Sequence, residues 1–444
     1  MNTATQLHNY SNIFSLIFAG LLVLGLIVKY WLTSRQIRHV ALHRNRVPAA
    51  FINHISLNAH QKAADYTLAK ARLGLLELAV GSALLLAWTL MGGLHALNTW
   101  LLDWVGNSYG AMAQQLALFV AFAVIGSLFD LPFTLYQTFV IEERYGFNKM
   151  TFKLWLADAA KSSLLGALIG LPLVALILWL MQAAGTYWWL WTWIVWMAFN
   201  LLLLWLYPTV IAPIFNKFKP LEDEVLKTRV TALMQRCGFA TRGLFVMDGS
   251  KRSGHGNAYF TGFGASKRVV FYDTLLAKLA PEEVDAVLAH ELGHFKHKHV
   301  LKRMIALFAT SLLGFALLGW LSAQTWFYTG LGVIPNHLTN AGVPDNALAI
   351  LLLTLALPVF TFFISPLFSQ LSRAHEFEAD AYATEQTNGV DLARALLKLY
   401  DDNASTLTPD PLFVKFYYSH PPASERLARM GFAGQTTPAM RGAV

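Results

Sequence analysis

Seven stretches of this chain reach or approach the roughly 20 apolar residues that a helix needs to cross a hydrocarbon core about 30 Å thick. They run Ile13–Leu32, Leu73–Leu97, Gln114–Phe139, Ser162–Met181, Tyr187–Tyr207, Met304–Leu321 and Ala347–Phe368. A single run of this kind could sit inside a large soluble core. Seven cannot be shielded by the remainder of a 444-residue chain in which only 14% of residues are charged. The expected fold class is therefore a mainly α, polytopic membrane protein with seven transmembrane helices. The first run has no basic stretch before it and no small-residue cleavage site after it, so it reads as a retained span.

A formal net charge of +8 would point a soluble chain toward nucleic acid or anionic lipid, but in a membrane chain the basic residues are first counted by side. If the spans alternate, one side receives Met1–Asn12, Asn98–Ala113, Ala183–Thr186 and Ser322–Asn346, which contain no Lys or Arg. Average density would place about four basic residues there, so their absence follows the positive-inside rule. The N-terminus is expected outside or in the lumen and the C-terminus in the cytosol. The basic balance then reflects topology. The lipid bilayer is the expected partner, nucleic acid is not, and no obligatory protein partner is implied.

Four regions follow. Residues 1–210 hold five transmembrane helices and a basic cytosolic loop, Arg35 to Arg72, broken by Pro48. Residues 211–303 change period: Val225–Cys237 reads helical, and Leu244–Met247, Ala258–Phe263 and Val269–Tyr272 are short β-prone runs divided by Gly and Ser. A small sheet followed by a helix is expected there, on the cytosolic side. Residues 304–368 carry spans six and seven, and 369–444 form a C-terminal cytosolic segment. The one cysteine, Cys237, excludes an intrachain disulfide and a thiolate metal cluster, and the 14 histidines direct any metal chemistry to imidazole and carboxylate ligands.

The helix of the cytosolic region is expected to begin near Pro281, with Glu282, Glu283 and Asp285 in a first turn where negative charge complements the backbone dipole. It contains His290-Glu291-Leu292-Gly293-His294. Histidines four apart share a helical face, so two imidazole nitrogens can bind one zinc ion while Glu291, about 100° round the helix, can meet a water beside it. A catalytic zinc needs a third protein ligand and an open position. Downstream stands Ser372-Arg373-Ala374-His375-Glu376-Phe377-Glu378-Ala379-Asp380, which reads as a helix. Glu376 and Asp380 share one face, as suits a carboxylate ligand and an acceptor that orients a histidine ligand. Glu378 falls on another face, and His375 is the rival candidate for third ligand.

His297 and His299 read as ordinary polar residues near a helix end. His420, in Ser419-His420-Pro421-Pro422, and Arg426 lie where a donor to the transition state could come from. Asp130 and the pair Glu142 and Glu143 flank the third span, where a carboxylate is a functional candidate by default. Structural pairing with Arg or Lys is the expectation for them.

Taken together, these residues resemble the type 1 CAAX prenyl protease family of zinc-dependent integral-membrane peptidases. The resemblance rests on Phe133–Lys149 around the third span, Gly254–Phe263 before the metal helix, His290–His299, Glu376–Asp380 and Ser419–Leu427, and covers the chain from about Asn45 onward. It implies seven helices enclosing a water-filled chamber, with the zinc site beneath a cytosolic-side domain and one Zn2+ per chain. It further implies that His290, His294 and Glu376 bind zinc, that Glu291 activates water and that Asp380 braces a ligand from behind. His420 would stabilise the oxyanion, with Arg426 supporting the site or the substrate. Asn257 and Ala258 would form the edge strand on which the substrate lies extended, with His255 nearby and without an assigned chemical role.

The implied reaction is removal of the last three residues after a prenylated cysteine. The chain resembles the compact members of the family, bacterial ones included, which favours a bacterial inner membrane, or an endoplasmic reticulum membrane in a eukaryote. Since bacteria generally lack protein prenylation, a quality-control protease acting on unprenylated membrane proteins is a second reading. A transporter or metal-binding scaffold without turnover is a third, and the complete HExxH, Glu376, Asp380 and His420 set argues against it.

Overall fold

The computed structural model describes residues 3–239, 243–261, 268–339 and 342–432. Seven of its helices are long and apolar enough to cross a membrane. The first five are α1 (Thr3–His43), α2 (Leu57–Trp88), α3 (Ala111–Glu142), α4 (Phe152–Ala183) and α5 (Gly185–Phe215). Their starts are written locally: Ser56 accepts the Ala59 N–H at 3.1 Å ahead of α2, and Thr151 accepts the Leu154 N–H at 3.2 Å ahead of α4. Leu16, Leu164 and Leu168 are at least 60% exposed on these helices, a pattern that lipid tolerates and water does not.

The second span differs from its expected limits. It stops at Trp88, and a separate helix runs Gly93–Leu101. Between them Gly92 takes φ 77°, and a Cβ on Gly93 would stand 2.5 Å from the Ala87 carbonyl oxygen. This turn needs two successive glycines, and a hydrophobicity window runs straight over them.

The segment between the fifth and sixth long helices contains β1 (Phe218–Pro220), α6 (Glu224–Arg236), β2 (Gly243–Met247), β3 (Ala258–Thr261), β4 (Arg268–Tyr272) and α7 (Pro281–Lys296). Strand β1 was not expected; three residues carry no readable alternation. The far end of the expected third strand, Gly262 and Phe263, lies outside the described residues. The sheet order is β1-β2-β4-β3, with β2 parallel to β4 and the other pairs antiparallel. Among the described residues, strand β3 therefore has a free edge.

Two further long helices follow, α8 (His299–Leu321) and α9 (Asn346–Gln386), then α10 (Gly389–Asp402), α11 (Pro411–Tyr417) and α12 (Ala423–Arg429). The last span is longer than expected. Helix α9 passes through a 3-10 turn at Phe362–Ile364 and continues past residue 368, so the expected junction between 368 and 369 falls inside one rod. One end of that rod meets the membrane and the other carries Glu376 and Asp380.

The core outside the long apolar helices joins sheet and helices. Leu226, Val230 and Leu233 of α6, Val269 and Phe271 of β4, Leu288 and Leu292 of α7 and Leu392 and Leu396 of α10 are all buried in one cluster. Helix α7 starts at Pro281, whose missing N–H costs nothing in a first turn. The Glu283 carboxylate accepts the Ala280 N–H at 2.7 Å and is paired with Lys398 at 2.7 Å. Opposite the sheet, α7 lies against α9 at very short range: a Cβ on Gly293 would sit 2.9 Å from Ala379 Cα and 3.1 Å from its carbonyl oxygen. Backbone cannot retreat as a flexible side chain can. Gly293→Val should therefore push the two helices apart and destabilise the fold by about 1–3 kcal/mol, read as a lowered unfolding temperature in detergent together with loss of bound metal.

Candidate active site

Helix α7 presents His290 and His294 one turn apart, and α9 brings Glu376 between them. His290 Nε2 stands 3.4 Å from Glu376 Oε2, and His294 Nε2 stands 3.4 Å from Glu376 Oε1. Candidate ligand atoms of the three residues lie within 4.8 Å of one another, the one such group among the described residues. Glu376 is 2% exposed, and its Oε2 accepts no hydrogen bond from the protein. A buried carboxylate oxygen left in this state is costly unless a cation meets it.

The far side of each imidazole is already committed. His290 Nδ1 lies 2.9 Å from Asp380 Oδ1, and Asp380 in turn receives Arg426 through Nη2 at 2.6 Å and Nε at 2.8 Å. His294 Nδ1 lies 2.9 Å from His299 Nδ1, and His299 Nε2 lies 2.8 Å from Glu378 Oε2. The proton positions follow from the carboxylates. Glu378 can only accept, so His299 carries its proton on Nε2 and offers the Nδ1 lone pair. His294 then donates from Nδ1, and its Nε2 lone pair faces Glu376. Asp380 imposes the same tautomer on His290. As neutral rings, both imidazoles thus turn an unprotonated nitrogen toward one point.

The surroundings of His290 favour one positive charge there. Burial works against a charged His290, but Asp380 and Glu376 outweigh it and hold the imidazole up to about 9. Burial and the neighbouring His290 push His294 down to about 3. Burial raises the Glu291 carboxyl, with Glu376 adding to the rise and His290 opposing it. Two imidazoles, one carboxylate and a preference for a cation fit a metal ion.

Around this point lies a pocket of about 440 Å³ whose lining includes Glu291, Asn257, Ala258, His420 and Arg426. His420 is 64% exposed, with Nε2 3.5 Å from Glu376 Oε1 and Nδ1 3.0 Å from the Ser419 hydroxyl. At the start of β3, Asn257 is exposed and its side-chain oxygen accepts the Ala258 N–H at 2.8 Å. His255 stacks on Phe147 with ring centres 4.3 Å apart, and its Nδ1 lies 3.1 Å from Asn403 Oδ1.

Two regions of the chain match family profiles: residues 36–217 match the CAAX prenyl protease N-terminal domain with its five membrane helices, and residues 220–431 match peptidase family M48. CAAX prenyl protease 1 homolog from Oryza sativa is 35% identical, covering 92% of this chain and 95% of that protein. CAAX prenyl protease 1 from Saccharomyces cerevisiae is 33% identical, covering 95% and 96%. The chain belongs to the CAAX prenyl protease family of M48 peptidases. The crystal structure of S. mikatae Ste24p superposes with a TM-score of 0.86 at 32% identity, covering 94% of this chain and 98% of that one. This M48 chain is thus a multi-pass membrane metallopeptidase.

The geometry alters the readings of His299 and of the carboxylates flanking the third span. His299, read as a plain polar residue, is 1% exposed and braces His294; a histidine five residues past the HExxH was the available signal. His375 is not part of the ligand cluster and stacks on His299 with ring centres 4.1 Å apart. Glu142 and Glu143 have no Arg or Lys within ion-pair range among the described residues. Glu142 accepts the Tyr66 hydroxyl at 2.6 Å and the Gln137 amide at 2.8 Å and faces His255 Nε2 at 3.5 Å, while Glu143 accepts from Asn148 at 2.9 Å. Asp130 is exposed on α3, with no ion pair among the described residues. In this M48 chain His299→Ala should weaken metal retention about 10- to 100-fold, measured by chelator competition, with Glu378→Gln milder because an amide oxygen still accepts from His299.

Proposed function

We propose that this membrane metallopeptidase uses one zinc ion to hydrolyse the peptide bond that frees the C-terminal aaX tripeptide from prenylated proteins. The ligand cluster is the observation that carries the reading. Ligand atoms about 2.0–2.1 Å from a tetrahedral zinc stand roughly 3.3 Å apart, close to the 3.4 Å between Glu376 and each histidine. His290, His294 and Glu376 would hold the ion, with Asp380 and Arg426 fixing His290 from behind. Bound zinc supplies Lewis-acid polarisation of the scissile carbonyl and lowers the pKa of an attacking water.

The rest of the chemistry falls to side chains. Glu291 takes the proton of the attacking water and delivers it to the leaving amine. His420 offers a donor where negative charge develops on the carbonyl oxygen. The free edge of β3 at Asn257 and Ala258 takes an extended substrate by adding a strand, which sets the backbone in register with the metal. Recognition through backbone leaves the residues around the scissile bond broadly variable.

We place the N-terminus outside and the C-terminus in the cytosol, on the distribution of Lys and Arg. The prenylated name of the relatives supports a lipidated substrate over a quality-control role.

Glu291→Gln should keep zinc and lose cleavage by about 10²- to 10⁴-fold, read by mass analysis of a prenylated C-terminal peptide with and without chelator. His420→Ala should lower kcat about 10²- to 10³-fold with zinc content retained; full activity would remove it from the mechanism. Ser322→Cys, in a chain whose Cys237 is replaced by Ser, should react with an impermeant thiol reagent from outside. Reaction from the cytosolic side alone would invert the topology.

A further inference from the structure

Beside the metal pocket opens a second lobe of about 990 Å³. The two share Gly256, Asn257, Tyr400, Asn403, Ser405 and His420 as lining, so a ligand can run from one into the other. The lobe is built of hydroxyls, amides and aromatic rings. Among the described residues, Lys70 of α2 is the one Lys or Arg that lines it, and no Asp or Glu does. The Lys70 ammonium donates to the Tyr66 hydroxyl at 3.3 Å and lies over the Tyr66 ring, 4.9 Å from its centre. It has no carboxylate within 4.0 Å among the described residues. The nearby acid, Glu142, is occupied behind the wall by Tyr66, Gln137 and His255.

Strand polarity connects this cation to the substrate. Strand β3 runs from Ala258 to Thr261 and pairs antiparallel to β4, and no described residue pairs with its other edge. Antiparallel pairing is the more stable arrangement per residue. A peptide added antiparallel to β3 runs the opposite way, so its C-terminal part passes Asn257 and heads toward His255, into the lobe. Three extended residues beyond the scissile bond span about 10 Å, and a lobe of this size accommodates a ligand of that length. What enters it is a free α-carboxylate.

We propose that Lys70, steadied by Tyr66, binds the terminal carboxylate of the substrate and so sets the cut a fixed number of residues from the chain end. This deepens the peptidase reading and rests on it. The register of cleavage would then be counted from the C-terminus by an ion pair, while the edge strand holds the intervening backbone. Lys70 acts as a specificity residue and touches no reacting atom.

The test measures binding in the zinc-loaded, full-length Glu291→Gln protein, using two fluorescent peptides of one sequence, each prenylated on a cysteine four residues from the end. One ends in a carboxylate and the other in a carboxamide. The acid should bind about tenfold tighter or better, as a charged hydrogen bond predicts. Lys70→Met should collapse that acid-to-amide ratio toward one, and Lys70→Arg should restore most of it. A ratio near one in the parent, or a ratio that persists in Lys70→Met and in a second variant, Lys70→Gln, would overturn the assignment. Turnover is excluded from this measurement. A wild-type chain that cleaves neither peptide would count against the peptidase reading, with the acid-to-amide ratio still deciding the carboxylate site.

Discussion

Contact between two backbones governs this protein. Helix α7 carries the histidine pair and α9 carries Glu376 and Asp380, and the absence of a side chain at Gly293 lets them meet at Ala379. Without that approach the third ligand candidate would stand a side chain's width too far away. The sheet and α6 press α7 from the opposite face through Leu288 and Leu292, so the helix is held between a core on one side and a rod on the other. Rigid elements place ligand atoms more accurately than loops can.

Hydrogen bonding then does what packing alone does not. Each imidazole is held at Nδ1 by a chain ending in charge: Asp380 and Arg426 on one side, His299 and Glu378 on the other. Asp380 and Glu378, only two residues apart on α9, face different directions and serve different histidines. The turn that allows the second chain is Lys298, a non-glycine residue at φ 55°, which folds the start of α8 back under α7. Such a conformation is costly for a residue with a Cβ, and here it brings His299 within reach of His294.

Legibility from sequence followed the range of the interactions. Seven spans were readable because hydrophobic length is a local property, and the HExxH helix because its ligands recur at four residues. Glu376 and Asp380 could be picked out by the same spacing. His299 could not be assigned, because its role depends on one left-handed turn and on a glutamate 79 positions away. Glu142 was misread for a similar reason: its partner Tyr66 lies 76 residues earlier, and no local pattern distinguishes a phenol partner from a lysine. The Gly92 break in the second span was visible as two glycines, but hydropathy averaging suppressed it.

The contributions of α12 and the turn before it have a consequence for the life of the chain. His420 and Arg426 follow the membrane spans and the histidine pair in chain order, and N-terminal parts of a protein are made and folded first. The membrane helices and the histidine pair are therefore assembled while the brace behind His290 is still being synthesised. Orientation of His290 by Asp380 and Arg426 thus comes late in synthesis, after the bilayer segments ahead of them have been made.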